Sequence, residues 1–320
     1  MPSVSVIIPN YNHARYLPQR IESILQQTFF DFECIILDDA STDNSKEIIE
    51  AYAAKDARIS FYPSSVNSGS PFIQWNKGVR LAKNEFVWIA ESDDSCSPIL
   101  LESLLNCHLK NMDIGLAYCQ SLAMDEKGNI HGSWENFTDE ISEDFFKENF
   151  VMEGMEFINR FLIYRNVIPN SSAVLFKKSL FENAGCSDET LATNSDWFTW
   201  LKMLVNQKVA FIATPHNMFR HHAESVIAKL HSAKTPDYKE QYDRTMRLCF
   251  QAWCKRNNVK LKKRIQSVNR QLISYDTANR ALHQYRNGKK IKGFLDIVKV
   301  SVFPRFTLGY LRRIVKMAGK

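Results

Sequence analysis

The chain has 320 residues and a formal net charge of +6, and this charge is unevenly distributed. Residues 226–320 carry 23 Lys/Arg against 5 Asp/Glu, whereas residues 1–225 carry 18 against 30. Only the C-terminal third therefore favours an anionic partner or surface, and the acidic remainder argues against a nucleic-acid-binding protein. Seven cysteines without a Cys-x-x-Cys pair argue against a disulfide framework or a structural zinc site.

The sequence also shows neither of two patterns that would indicate a membrane-spanning or secreted protein. No apolar run reaches the ~18 residues that a membrane-spanning helix needs. No basic-then-apolar leader precedes the first apolar run, which begins at Val4. Together with the cysteine usage, these features predict a cytoplasmic protein in a reducing compartment.

The first ninety residues alternate between short apolar runs, typical of strands, and segments with helical spacing. The predicted strands are 4–9, 32–37, 59–62 and 85–90, and the helices between them are 15–27, 45–54 and 72–83. This alternation predicts an α/β fold with a doubly wound, mainly parallel sheet. Ligands of such sheets bind at the carboxyl ends of the strands.

The pattern continues to about residue 225 and then changes. Helices are predicted at 98–111, 153–164, 178–184 and from Asp196 onward, and strands at 115–119, 170–176, 209–213 and 217–220. Residues 131–150 show no clear period and are interpreted as a loop over the site. From about residue 226 the chain is basic and helical, with no strand pattern.

Three polar clusters follow predicted strands, at Asn10–His13, Asp38–Ser41 and Glu91–Asp94. The last one places three acids within four residues, directly after a buried apolar run. Crowded carboxylates repel one another, and a divalent cation with oxygen ligands is the usual remedy. The alternative is a solvated acidic turn, and the coincidence of all three clusters at strand ends favours the binding site.

Four motifs carry a resemblance to a known family. They are Val4–Asn12, Asp38–Asp43, Glu91–Asp94 and Asn194–Leu201, in that order and spacing. Over roughly residues 1–225 the chain resembles family 2 of the inverting, nucleotide-sugar-dependent glycosyltransferases, which have the GT-A fold. The resemblance implies a catalytic domain at 1–225, with a donor half at about 1–119 and an acceptor half at about 120–225, followed by a basic helical region at 226–320.

The resemblance implies a nucleotide site on the donor half. Asp39 resembles the acid that binds the nucleotide base, and a carboxylate can accept the N–H of a uracil ring, which favours a UDP-linked donor. The residues expected to bind the nucleotide are Pro9, Tyr11, Asn12, Asp38, Asp39, Asn76, Lys77 and Asp93. For Pro9, Tyr11 and Asn12, an ordinary turn at a strand end is the alternative. Trp75 stands where relatives often carry Arg before the Asn.

The resemblance also implies a cation site for Mg²⁺ or Mn²⁺. Asp93 and Asp94 resemble the acids that hold the ribose and the cation bridging the diphosphate, and the cation would neutralise the leaving group. Glu91 stands where the family usually has Asp, so it is either a ligand or a supporting residue. His222 lies in an Arg-x-His-x-x-Ser pattern, and it is either near the cation or a structural histidine.

Asp196 is the candidate general base. Inversion at the anomeric carbon needs one carboxylate to accept the proton of the attacking hydroxyl. The alternative is a helix-capping Asp, with Asn194 and Ser195 as rival caps. The family's motif has Glu at the position of Ser195, which leaves this chain with one charge fewer.

These features predict transfer of a sugar to a hydroxyl of a glycan or lipid-linked glycan, in bacterial cell-surface polysaccharide synthesis. An inactive glycan-binding or scaffold protein on the same fold is the alternative, which the Glu91 and Ser195 departures leave open. A sugar nucleotidyltransferase is disfavoured because Asn10–His13 contains neither Gly nor Lys/Arg to cradle a triphosphate.

The C-terminal segment 289–320 has apolar residues at helical spacing among nine Lys/Arg. A basic amphipathic helix predicts contact with the inner leaflet of the membrane, so that the protein would be peripheral. A helical appendage that packs on the catalytic domain, or a dimer contact, is the alternative.

Overall fold

The computed structural model describes residues 3–168, 170–191, 193–225, 228 and 238–286. These residues fall into two compact units, one that ends at Ser225 and one that follows it. The predicted amphipathic segment 289–320 lies outside the described residues. No helix among the described residues combines the length and the hydropathy that crossing a membrane would require.

The first unit is built on a mixed sheet of ten strands in the described residues. They are β1 (Val4–Asn10), β2 (Phe32–Asp38), β3 (Ile59–Pro63), β4 (Phe86–Ile89), β5 (Ser95–Cys96), β6 (Ile114–Met124), β7 (Ile130–Ser133), β8 (Phe150–Glu153), β9 (Val174–Lys177) and β10 (Lys208–Arg220). The strand order is β3-β2-β1-β4-β9-β6-β10-β5, with β7 on β6 and β8 on β10.

Most of the sheet is parallel, as predicted. Strands β3, β2, β1 and β4 pair in parallel, and β6 pairs in parallel with β10. Strand β9 is antiparallel to both of its neighbours, β4 and β6, so these two neighbours again run in the same direction. The carboxyl ends of β1, β2, β4, β6 and β10 therefore share one edge of the sheet.

Helices connect the strands of this unit and cover the sheet. They are α1 (Leu17–Leu25), α2 (Ser45–Ala53), α3 (Pro71–Leu81), α4 (Leu100–Lys110), α5 (Glu135–Asp139), α6 (Gly154–Phe157), α7 (Lys178–Asn183) and α8 (Ser195–Leu204). The apolar sides of α1, α2 and α4 form one continuous core with the strands, in which Val6, Ile21 and Leu104 are fully buried. Trp200 of α8 packs on Trp75 of α3, with 6.2 Å between ring centroids.

Two sequence interpretations of this unit are wrong. Residues 131–150 are not one loop, because they contain most of β7, all of α5 and a 3₁₀ turn at Phe145–Lys147. The two strands predicted at 209–213 and 217–220 are a single irregular strand, β10. Its register with β6 shifts on both sides of Pro215, which has no N–H to donate to the ladder, and the apolar pattern is interrupted there.

The second unit is helical in its described residues, as predicted for the C-terminal region. It contains α9 (Tyr238–Arg256) and α10 (Lys263–Arg286), which pack against each other. Phe250 and Ile265 are fully buried within it. Arg247 of α9 pairs with Asp276 of α10 at 3.3 Å, and burial raises the pKa of Asp276 to about 6.

Helix α3 approaches β1 and β2 closely at Gly78. A Cβ at this position would collide with Ile7 of the central strand and would press on Leu37. We predict that Gly78→Ala lowers the free energy of unfolding by about 1–3 kcal/mol, because overpacking forces strain into a well-packed core.

Urea unfolding measures this change. Gly132→Ala is the control, because its added Cβ would have only ordinary contact, at 3.9 Å from Ala123. Equal midpoints for the two variants would show that α3 can move away from the sheet without cost.

Candidate active site

The three polar clusters meet because their strands are neighbours. Asn10 of β1 pairs with Asp38 of β2, and the amide of Ala90, after β4, donates to the carbonyl of Ile7 at 2.8 Å. All three strand ends therefore lie at the same edge of the sheet, where the ligands of doubly wound folds bind.

Asp38 shapes the turn after β2. Its carboxylate accepts from Asn10 Nδ2 at 2.8 Å, from the Ser41 hydroxyl at 2.6 Å and from the Ser41 amide at 2.9 Å. The side chain is buried. All of these donors come from the two neighbouring strand ends, so the carboxylate holds the two turns together.

The carboxylate of Asp39 is bound by residues in and just before α3. Its carboxylate accepts from the amide of Ser68 at 3.0 Å, from the Ser68 hydroxyl at 2.7 Å and from Gln74 Nε2 at 2.6 Å. Ser68 lies in the turn before α3 and Gln74 lies in its first half. The sequence analysis missed these two partners, which are known only once α3 is placed beside β2.

The turn after β1 has a left-handed residue at Asn12, with a φ of 57°. Its side-chain oxygen accepts from the amide of Thr42 at 2.7 Å, and its own amide donates to the hydroxyl of Ser41 at 2.9 Å. Tyr11 is 43% exposed at the tip of the turn. Pro9 is buried within β1, where it pairs with Leu37 of β2.

Asn76 and Lys77, the predicted nucleotide contacts on α3, have separate surroundings. The Asn76 amide exchanges hydrogen bonds of 3.0 Å with the backbone of Ser187 and donates to Glu189 at 2.8 Å. Asn76 is buried, so it fixes the segment that leads to α8. Lys77 Nζ donates to the hydroxyl of Ser64 at 3.2 Å, next to the carboxyl end of β3.

Asp93 lies between two histidines. His222 Nε2 is 2.9 Å from Asp93 Oδ2, and ligand atoms of His13, Asp93 and His222 all lie within 4.8 Å of one another. Burial tends to raise the pKa of Asp93, but the hydrogen bond with His222 and the nearby His13 outweigh it, and the pKa is lowered. The carboxylate is therefore held in its ionised form.

This trio fits a divalent cation. A carboxylate is a ligand that suits Mn²⁺ and Mg²⁺, and an imidazole is the commonest metal ligand in proteins. His222 and Asp93 share a hydrogen bond of 2.9 Å in this structure, and the ligand atoms of all three residues are close enough together to bind one cation. The other imidazole, His13, was in the predicted polar cluster after β1, but it was not singled out.

Asp94 has a different environment from Asp93. Its Oδ1 accepts from the amide of Arg220 at 2.9 Å, its Oδ2 is 4.0 Å from the guanidinium of Arg20, and the side chain is buried. Burial and the charge of Asp93 raise the pKa of Asp94 to about 7. Asp94 does not belong to the trio, although the motif alone could not separate the two acids.

Glu91 is also bound elsewhere. Its Oε1 accepts from Trp75 Nε1 at 2.9 Å and from the hydroxyl of Ser171 at 3.1 Å. Burial, followed by the charges of Asp93 and Asp94, raises the pKa of Glu91 to about 8. Two of the three departures from the family pattern, Glu91 and Trp75, are thus partners of each other.

Two buried arginines hold the turn after β4. Arg20 of α1 donates from Nε to the carbonyl of Glu91 at 2.7 Å, and Arg220 of β10 donates from Nε to the carbonyl of Asp93 at 2.6 Å. Arg20 is fully buried on the apolar side of α1, between Leu17 and Ile24. A charged residue on the apolar face of a predicted helix was the sequence feature that could have indicated that Arg20 binds the turn after β4.

Asp196 lies in the first turn of α8, after Asn194 in a left-handed conformation with a φ of 61°. Its Oδ2 accepts from Asn166 Nδ2 at 2.9 Å, and burial raises its pKa to about 6. Ser195 is fully buried and donates to the carbonyl of Asp188 at 2.9 Å, so it contributes to packing. Asn194 makes no side-chain cap.

Comparisons with known proteins identify relatives of this chain. The family model described as Glycosyl transferase family 2 matches residues 5–173. An uncharacterized glycosyltransferase of Methanocaldococcus jannaschii is 31% identical over 64% of this chain and 66% of its own length. The GalNAc(5)-diNAcBac-PP-undecaprenol beta-1,3-glucosyltransferase of Campylobacter jejuni is 30% identical over 59% of this chain and 56% of its own length. The chain thus spans less than two thirds of either relative.

Two solved structures share the fold. Staphylococcus aureus TarS 1–349 in complex with UDP-GlcNAc has a TM-score of 0.62 and 18% identity, and the match covers 91% of this chain and 89% of TarS 1–349. The mannosyltransferase PcManGT of Pyrobaculum calidifontis, in complex with GDP-Man and Mn²⁺, has a TM-score of 0.60 and 14% identity, covering 99% and 80%. These likenesses confirm the predicted GT-A fold.

The side chain of Arg220 joins the turn after β4 to the turn between β6 and β7. It donates to the carbonyl of Asp93 and to the carbonyls of Asp125 and Glu126 at 3.0 and 3.2 Å. We predict that Arg220→Gln lowers the free energy of unfolding by about 3 kcal/mol, because it removes a buried charge and leaves acceptors unpaired.

Urea unfolding checks this prediction with Arg15→Gln as the control. Arg15 also contacts Glu126, at 3.4 Å, but its side chain is 60% exposed, so its loss should cost under about 1 kcal/mol. Similar losses in the two variants would contradict the role of Arg220.

Proposed function

Because the chain belongs to glycosyl transferase family 2, we propose that it is an inverting enzyme that transfers a sugar from a nucleotide diphosphate to a hydroxyl group. The match over residues 5–173 confirms the resemblance found in the sequence. The observation that carries the proposal is the pairing, in one unit, of an ionised Asp93 beside two histidines with a separate acid, Asp196, at the head of α8. These two groups supply a cation site and a base.

The donor lies over the carboxyl ends of β1, β2 and β4 in this proposal. Asp39, oriented by Ser68 and Gln74, accepts the N–H of the base, which favours uracil and therefore a UDP-sugar. Tyr11 and Asn12 frame the base and the ribose, with Pro9 and Asp38 setting the shape of the two turns. That TarS was solved with UDP-GlcNAc supports a UDP-linked donor.

His13, Asp93 and His222 would hold Mn²⁺ or Mg²⁺. The cation, when bound, neutralises the diphosphate as it leaves. Asp94 and Glu91 do not belong to the trio and would stabilise the turn that carries Asp93. Asp94 binds the backbone of β10, and Glu91 binds Trp75 and Ser171.

Asp196 acts as the general base. Its carboxylate accepts the proton of the acceptor hydroxyl while the hydroxyl oxygen forms a bond to the anomeric carbon. The bond from that carbon to the diphosphate oxygen breaks, and the leaving nucleotide takes the electron pair. Asn166 donates to the carboxylate and fixes its direction. One displacement from the opposite side inverts the anomeric configuration.

The acceptor is a glycan or a lipid-linked glycan in this proposal. The Campylobacter jejuni relative is named for a lipid-linked acceptor, and an Escherichia coli relative, 32% identical over 43% of this chain, is named chondroitin synthase. The alternative is a binding protein without turnover. This alternative predicts that the chain binds a nucleotide sugar but releases no free nucleotide from it, and that Asp196→Asn leaves this binding unchanged.

The direct test of this function is a screen of UDP-, GDP- and dTDP-sugars for Mn²⁺-dependent release of the nucleotide, with membrane extract as acceptor source. We predict release from one UDP-sugar, and a loss of at least about a hundredfold in Asp196→Asn, because general bases contribute about that much or more. Asp113→Asn is the control, since Asp113 lies at the amino end of β6. Release that survives in Asp196→Asn would exclude Asp196 as the base.

The pKa of Asp196 sets the pH dependence. Burial raises it to about 6 from an ordinary value of 3.8, and the base must be ionised, so activity is lost as pH falls through about 6. Asn166 lowers this pKa through its hydrogen bond, so Asn166→Ala should move the acidic limb to higher pH. The rate profile from pH 5 to 8 checks this, and a limb that stays in place would contradict it.

The cation site is tested without turnover. We predict that His222→Ala and His13→Ala each weaken Mn²⁺ binding at least about tenfold, because each removes one of three ligands. Electron paramagnetic resonance of free Mn²⁺ gives the affinity directly. His283→Ala, on α10, is the matched control. Unchanged affinity in both site variants would show that the cation binds elsewhere.

A further inference from the structure

A group of aromatic side chains lies on β7, α5 and the end of β10, and the proposed mechanism does not use it. We name it the aromatic shelf, and its members are His131, Trp134, Phe137, Phe219 and His221. It includes part of the segment 131–150, which the sequence pattern had indicated to be a loop over the site.

The rings of the shelf are continuous. Trp134 is the centre, with ring centroids 5.4 Å from Phe219, 5.3 Å from Phe137 and 6.1 Å from His221, all edge to face. His131 extends the row, at 5.5 Å from His221. His131 and His221 are exposed and the other three rings are half-buried, so the row is accessible from solvent along part of its length.

One end of the shelf adjoins the proposed cation site. His221 directly precedes His222, which lies 2.9 Å from Asp93. The amide of His221 donates to the carbonyl of Met124 at 2.9 Å, which fixes the end of β10 against β6. The chain at this end of the shelf therefore continues directly into a residue of the proposed cation site.

The other end leads to the proposed base. The guanidinium of Arg165 lies 4.1 Å from the ring centroid of Phe137. The next residue, Asn166, donates to Asp196 at 2.9 Å. Chain segments that carry a residue of the proposed site, His222 at one end and Asn166 at the other, therefore border the shelf on both sides.

The chemistry of the shelf suits a neutral sugar ring. A pyranose presents C–H groups on its faces, which pack on aromatic rings, and hydroxyl groups at its edge, which need polar partners. Ser133, Glu135 and Asn136 alternate in sequence with the aromatic residues and supply polar groups. An acyl chain has no groups that these polar side chains could bind.

The charge around the aromatic shelf indicates which sugars can bind there. Residues 131–150 carry six Asp/Glu and one Lys, and Arg165, at the Phe137 end of the shelf, is paired with Glu140 at 2.7 Å, so the remaining negative charge disfavours a sugar bearing a carboxylate or phosphate. We propose that the aromatic shelf binds a neutral pyranose of the acceptor, one residue of which presents its hydroxyl to Asp196. This inference rests on the proposed function for the identity of the reaction, and sugar binding itself is measured independently of it.

The experiment uses p-nitrophenyl β-glycosides of glucose, galactose, N-acetylglucosamine, N-acetylgalactosamine and glucuronic acid. Saturation-transfer-difference NMR on the full chain, with and without UDP and Mn²⁺, gives the dissociation constant of each. We expect binding of at least one neutral glycoside and none of the glucuronide. Trp134→Ala should weaken that binding about tenfold or more, whereas Trp134→Phe, which keeps an aromatic face, should retain most of it.

Two controls keep the outcomes separate. Phe30→Ala removes an aromatic ring that is 73% exposed between α1 and β2, at the amino end of β2, and should not change glycoside binding. His131→Ala removes an exposed ring of the shelf, so a weakened glycoside affinity in this variant is not a folding defect.

Glycoside binding that is equal in wild type, Trp134→Ala and His131→Ala, or absent from the wild type, overturns the inference. A chain that binds glycosides but releases no nucleotide from any donor contradicts the proposed function alone.

Discussion

The buried guanidinium of Arg20 is the constraint on which the rest of the site depends, and the carboxyl group of Asp94, whose pKa burial and Asp93 raise to about 7, lies 4.0 Å from it. A buried cation is costly unless polar groups surround it, and the turn after β4 provides them. Arg20 also binds the carbonyl of Glu91, and Arg220 binds the carbonyl of Asp93 and the carboxylate of Asp94 through its amide. The turn after β4 is therefore held by side chains from α1 and β10, and Asp93 is presented on a fixed backbone.

The sheet brings together the residues proposed for the two halves of the reaction. Strands β1, β2 and β4 end at the proposed nucleotide site, and β6 and β10 end at the same edge of the sheet. Since Arg220 and His222 are two residues apart, the strand end that stabilises the turn after β4 also carries a proposed cation ligand. Helix α8 carries Asp196, the proposed base, whose raised pKa would make it a better base than an exposed carboxylate.

Sequence periodicity predicted the fold class, because parallel strands buried on both faces leave a clear apolar signal. It also located the three polar clusters, since each follows directly after such a strand. It could not separate Asp93 from Asp94, because the difference depends on Arg220, 126 residues further along the chain. The role of His13 and the pairing of Glu91 with Trp75 were missed for the same reason: spacing along one segment does not reveal which partner another segment brings.

The proposed site, at the carboxyl edge of the sheet, would bind a nucleotide through a cation held by Asp93. Its most direct test is a crystal structure with UDP and Mn²⁺, with anomalous diffraction recorded at the manganese edge. We predict one strong anomalous peak within about 2.3 Å of an oxygen of Asp93 and a ring nitrogen of His222, adjoining the diphosphate. A peak bound to other residues, or UDP bound away from Asp39 and Asp93, would contradict it.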